Sequence, residues 1–175
     1  MFQRLALKAL QQWADKEGRK PLVLRGARQV GKTTLVELFS RNFDVFINLN
    51  LEEKNNANLF TMNNSFEDML AGIYAKAGFR MENKRTLIFI DEIQNAPDAV
   101  QSLRYFYEKR PDLYVIAAGS LLESLVGDHI SFPVGRVEYM VLHPCTFTEF
   151  LGALGEDSLV EQIEQIGRAS CRERV

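Results

Sequence analysis

Residues 21–34 read PLVLRGARQVGKTT, and they limit the possible folds of this chain more than any other stretch. From Gly26 to Thr33 the sequence fits G-x-x-x-x-G-K-[ST] without a mismatch. That pattern works only where a strand enters a tight loop and a helix leaves it. PLVL before the loop and TLVELFSRNF after it supply both. Glycines let the backbone curl so that successive N–H groups face one point. A helix starting at Lys32 adds unpaired N–H groups and the positive end of its dipole. Such a loop is suited to phosphates. Gly26, Ala27, Arg28, Gln29, Val30, Gly31, Lys32, Thr33 and Thr34 are therefore the expected nucleotide-binding residues. Lys32 would reach the β- and γ-phosphates, the Thr33 hydroxyl would ligate Mg²⁺, and Thr34 would lie near the α-phosphate. The plain alternative is a glycine-containing turn that binds nothing.

The rest of the chain agrees with such a unit. Short apolar runs alternate with helical patterns, as in a parallel sheet with crossover helices. Strands are predicted at about 21–25, 44–49, 86–90, 113–118 and 137–142. A helix over 3–15 places Leu5, Ala9 and Trp13 on one face, and another runs from Lys32 through Leu35, Leu38 and Phe39. Ser65 is the expected N-cap of a helix that turns Met69, Leu70, Ile73 and Ala77 inward and stops at Gly78. Asp98 is read as the cap of a helix to about Lys109, burying Val100, Leu103 and Phe106 or Tyr107. Thr146 and Glu149 form a capping-box pattern, and the polar, Asn-rich residues 50–64 read as an exposed loop.

A second motif follows the third strand. LIFIDE, residues 87–92, is an apolar strand ending in two acids. Asp91 is placed to hold Mg²⁺, through a water. Glu92, immediately after it, can orient and polarise a water for attack on the γ-phosphorus. A solvated acid at a strand end is the alternative for Glu92.

PLVLRGARQVGKTTL, LIFIDEIQNAP, YVIAAGSLLESL and FPVGRVEYMVLHPCTFTEFL together resemble the AAA-type ATP-binding proteins of bacteria and archaea. In that family the ATPase domain is followed by a nuclease-like domain of unknown function. The likeness runs from about Arg4 to Gly155. It implies an α/β P-loop NTPase fold, a three-layer α/β/α sandwich whose parallel sheet has the additional-strand order 5-1-4-3-2. It implies ATP and Mg²⁺ as cofactors, with hydrolysis driving a conformational change in a longer protein. Two further catalytic positions follow from the resemblance. Ser120 matches a sensor hydroxyl near the attacking water, and Arg136 matches an arginine facing a γ-phosphate, within the protomer or across to a neighbour. Ser120 could instead start a turn before the next helix, and Arg136 could be a surface arginine at a strand start. A nucleotide-gated interaction module with little turnover and a nucleic-acid-associated motor remain as alternative functions. Cys145 and Thr146 stand where the family usually has leucine and serine.

Composition narrows the choice of partner and compartment. A formal net charge of -2 gives no basic excess of the kind that advertises nucleic acid. The longest apolar runs fall far below the ~20 residues of a membrane span. Two cysteines, Cys145 and Cys171, form no framework and point to a reducing compartment, the cytoplasm by default. His143 and Cys145 supply two ligands at most, short of a zinc site. The last ten residues, IGRASCRERV, resemble a translated sequencing adapter. The expected organisation is thus an ATPase core over 1–145, the start of a C-terminal helical or lid region over 146–165, and a non-native tail over 166–175. Expected partners are the nucleotide, a missing C-terminal domain and a second copy of the chain.

Overall fold

A five-stranded parallel sheet organises the described residues. The computed structural model describes residues 5–61, 65–119 and 132–172. Its strands are β1 (Leu22–Arg25), β2 (Val45–Asn50), β3 (Thr86–Asp91), β4 (Tyr114–Ala118) and β5 (Glu138–Val141), in the order β2-β3-β4-β1-β5. Every neighbouring pair is parallel. Read from the other edge, this is the 5-1-4-3-2 order expected of an additional-strand P-loop NTPase. The family resemblance supplied that order, and the structure bears it out.

Alternation within the strands builds the three layers. Successive side chains point to opposite faces of a sheet, so an all-apolar strand feeds two cores. Leu22 and Leu24 of β1, Leu87 and Phe89 of β3, and Ile116 and Ala118 of β4 face one side. There they meet Leu10 and Trp13 of α1 (Leu5–Ala14) and Leu35, Val36 and Phe39 of α2 (Lys32–Ser40). Val23, Ile88, Ile90, Val115 and Ala117 face the other side. They pack on α4 (Phe66–Lys76) and α5 (Pro97–Lys109) through Met69, Ile73, Val100, Leu103 and Phe106. Trp13 is buried, and its indole N–H donates to the Lys20 carbonyl over 2.8 Å, so its one polar atom is satisfied.

Helix ends follow local chemistry in two cases and depart from the expectation in a third. The Ser65 hydroxyl accepts from the Asp68 N–H at 3.1 Å and caps α4. At its other end Gly78, at φ 73°, lets the Gly78 and Phe79 N–H groups turn back to the carbonyls of Ala75 and Tyr74. Thr146 and Glu149 close a full capping box on α6 (Phe147–Ala153). Asp98, by contrast, is not a cap. Ala96 holds that position and Pro97 opens α5, where its fixed φ and missing N–H cost nothing, so Asp98 falls within the first turn.

Two other expectations are corrected. Leu5 does not join the core: it is exposed at the start of α1, and the inward face is carried by Leu10, Trp13 and Ala14. Residues 50–64 are not simply an exposed loop. They include α3 (Lys54–Ala57) and a 3₁₀ turn (Asn58–Phe60). Asn56 is buried there with its amide donating to the Asn50 carbonyl at 2.7 Å, and Phe60 enters the α4–α5 core. The last helix, α7 (Asp157–Arg172), runs through the start of the segment read as a tail.

Candidate functional site

All five strands end at one edge of the sheet, since Arg25 pairs with Val141, Leu24 with Ala118, and Asn50 with Asp91. Ligands of open α/β sheets bind beyond the carboxyl ends of the strands. The loop from Gly26 to Gly31 leaves β1 at that edge.

Its path depends on two glycines. Gly26 has φ 152°, and a Cβ there would lie 2.5 Å from the Leu142 carbonyl oxygen. Leu142 is fixed by its own N–H, which donates to the Arg25 carbonyl at 2.8 Å. The second glycine, Gly31, adopts φ 89° and is the N-cap of α2 without a side-chain hydrogen bond. Gln29 also sits in the left-handed region, at φ 62°. Left-handed residues at alternate positions, here Gln29 and Gly31, are what an anion nest uses to turn successive N–H groups toward one point. The first N–H groups of α2 are left to whatever lies in the loop.

Lys32 is 7% exposed despite its charge. Its ammonium donates to the carbonyls of Gly26 and Ala27 at 2.9 and 2.8 Å. A buried ammonium must be compensated, and here the loop backbone compensates it. The ammonium is thereby held at the mouth of the loop.

The loop must then cross the end of β4 to meet β3. It does so through Thr33, whose hydroxyl donates to Asp91 Oδ2 at 2.8 Å. The other Asp91 oxygen accepts the Glu92 N–H at 3.0 Å. Thr33 and Asp91 offer hard oxygen donors side by side, a set that suits Mg²⁺, which is commonly held by one or two carboxylates plus phosphate oxygens and water. Among the described residues no cluster of three or more His, Cys, Asp or Glu side chains forms a metal cage. The fit is to a metal shared with a phosphate ligand.

Glu92 directly follows, at φ 51° and ψ 46°, a conformation that non-glycine residues rarely adopt. Arg28, Gln29, Gly31, Lys32, Thr33, Thr34, Asp91 and Glu92 line one cavity of about 450 Å³. Eight of the residues singled out in the sequence thus share a single space.

Comparison with known proteins agrees with the fold. Residues 18–151 match the family model of an AAA domain. The chain belongs to this AAA-domain family. Similar solved structures are the Walker-type ATPase of Pyrococcus abyssi (17% identity, TM-score 0.58, covering 95% of this chain and 62% of that one), the Aeropyrum pernix ORC1 protein in complex with DNA (15%, 0.54, 87% and 47%), and Drosophila ORC bound to DNA (17%, 0.56, 97% and 51%). At these identities the likeness shows the fold, and the chain spans roughly half to three-fifths of the length of the chains it resembles. No curated protein matches the sequence. Among the described residues, no helix is long and apolar enough to cross a membrane.

Among the described sequence-predicted residues, Gly26, Ala27, Val30 and Arg136 do not line this cavity. Ser120 lies outside the described residues. Arg136 closes a turn before β5, where its N–H donates to the Pro133 carbonyl at 3.0 Å. Glu138, two residues on, pairs with Leu22 at the start of β1, so Arg136 sits at the sheet edge opposite the phosphate loop. There its guanidinium meets Glu108 at 2.8 Å, and Arg104 meets the same carboxylate at 3.0 Å. Hydrogen bonds from Arg136 and then Arg104 hold the Glu108 carboxyl below the usual carboxylate range. Arg25 also turns away, stacking 4.1 Å from the Tyr139 ring centre, whereas Arg28 lines the cavity. Sequence reasoning passed over Gln94, whose amide contacts Glu92, and the Leu142 carbonyl against Gly26.

Proposed function

We propose that this AAA domain binds Mg-ATP in the loop of residues 26–34 and hydrolyses it, in the cytoplasm, to drive a conformational change in a longer protein. The observation that carries the reading is the 2.8 Å contact between Thr33 and Asp91. It ties the phosphate loop to the end of β3 and leaves Glu92 in the same cavity.

Backbone N–H groups of the loop and of the first turn of α2 would hold the phosphate chain. Lys32 would exchange its bonds to the Gly26 and Ala27 carbonyls for the β- and γ-phosphate oxygens, a short movement of a group already in place. Thr33 and Asp91 would hold Mg²⁺, which when bound neutralises charge building on the phosphate oxygens. Glu92 would orient a water and draw its proton as the water attacks. Ser120 keeps the sensor role that the family resemblance implies. With Arg136 at the far edge of the sheet, its contribution is assigned to the γ-phosphate of a second protomer.

Glu92→Gln tests the reading, because it preserves size and hydrogen bonding while removing the charge. Mg-ATP affinity should survive, and single-turnover hydrolysis should fall by a factor of ~100 or more. Simultaneous loss of binding would make Glu92 structural. Binding without measurable turnover in the wild type would instead make the domain a nucleotide-gated interaction module.

A further inference from the structure

Behind Glu92 stands a side chain that the hydrolytic reading does not use. Gln94 lies in the 3₁₀ turn Ile93–Asn95 that follows Glu92, and fully buried Ile93 anchors that turn. The Asn95 N–H donates back to the Glu92 carbonyl at 3.0 Å. This folds the side chain of Gln94 onto that of Glu92, and Gln94 Nε2 donates to Glu92 Oε2. Chemistry fixes the amide's orientation: flipped, it would set one oxygen against another.

Resting on the hydrolytic reading of Glu92, we infer that Gln94 is a positioning residue that holds the Glu92 carboxylate in the orientation needed to engage the attacking water. Three observations converge on this. Gln94 does not line the phosphate cavity whereas Glu92 does, so Gln94 acts through Glu92 rather than on the nucleotide. The Gln94 amide oxygen is buried without a hydrogen-bond partner. A glutamine kept only to fill space would be poorly chosen, because an apolar chain of the same length would avoid that unsatisfied acceptor. Finally, Glu92 itself occupies a left-handed backbone conformation. Two local costs next to each other both serve to fix one carboxylate, and such costs tend to collect where geometry matters for chemistry.

The test uses the full chain and separates binding from chemistry. Gln94→Met keeps the length of the side chain and removes the donor. Its single-turnover hydrolysis of Mg-ATP should fall about 10-fold with nucleotide affinity essentially unchanged. Gln94→Glu, which sets a like charge against Glu92, should fall further, and it keeps the test open if the methionine variant folds poorly. In a Glu92→Gln background, Gln94→Met should cost almost nothing more, because there is no carboxylate left to hold. An equal loss in both backgrounds would make Gln94 structural and overturn the inference. So would hydrolysis that is unchanged or faster in Gln94→Met. If Glu92→Gln itself leaves hydrolysis intact, the underlying reading of Glu92 fails instead, a distinguishable result.

Discussion

Gly26→Ala puts the path of the phosphate loop to a quantitative test. The new Cβ would stand 2.5 Å from the Leu142 carbonyl oxygen and 3.2 Å from Val30 Cγ2, where ordinary contact begins at 3.4 Å. About 0.9 Å of movement is thus needed against a backbone atom. Leu142 cannot easily supply it, since its N–H is bonded to Arg25 at 2.8 Å at the end of β5. The loop must move instead, drawing the Gly26 carbonyl away from the Lys32 ammonium. Overpacking of this kind costs about 1–3 kcal/mol, and the unfavourable φ adds about 1 kcal/mol. A total near ~3 kcal/mol would lower Tm by about 6–12 °C in a chain of this size. Gly78→Ala is the control. It too forces a positive φ, 73°, but its Cβ would meet nothing within 4 Å, so only the conformational cost applies. That variant should lose about 2–4 °C. Differential scanning calorimetry compares the two, and titration with Mg-ATP should show at least a 10-fold affinity loss for Gly26→Ala alone. Equal melting points for the two variants, with affinity retained, would refute the close approach at Leu142.

Three other perturbations follow from particular contacts. Thr146→Ala removes one half of the capping box on α6 and should cost about 1 kcal/mol in chemical denaturation without changing nucleotide affinity. Phe147 and Phe150 on α6 and Leu154 just beyond it lie exposed, so the domain should self-associate with rising concentration, and Phe147→Ser with Phe150→Ser should suppress this in light scattering. A hydrogen bond from Arg110 holds the Asp112 carboxyl below its ordinary range. That stabilisation is present above the unfolded aspartate value of ~3.9 and is lost as pH falls through the depressed folded one, so the melting points of wild type and Arg110→Gln should begin to converge only as pH falls below about 4.

Much of this molecule could be read in its sequence because its local signals agree with its fold. LIFI and YVIA are apolar at every position, and buried strands feeding two cores require that. Ser65 and Thr146 act locally, within one turn, so a one-dimensional pattern captures them. The phosphate loop is legible for the same reason, as its geometry depends on glycines at fixed spacing. What escaped notice depends on distant or subtle partners. Asn56 reads as a loop residue, yet it is buried, and its amide donates to the Asn50 carbonyl and to Glu53. Asp98 loses the capping position because Pro97 already sets the start of α5. The position of Arg136 relative to the phosphates depends on which end of β5 it precedes, and only the strand register places it. Gln94 gave no signal, since its meaning lies in a turn that folds it back onto Glu92.

The central claim is that the loop from Gly26 to Thr34 grips the phosphates of ATP through Lys32. Isothermal titration of Mg-ATP into the wild type and Lys32→Ala tests it most directly, with circular dichroism to show that both are folded. Saturable binding by the wild type and no measurable binding by Lys32→Ala is the predicted result, because a cationic contact to the β- and γ-phosphates is lost from a largely buried position. Equal affinities in two folded proteins would contradict the account at its root.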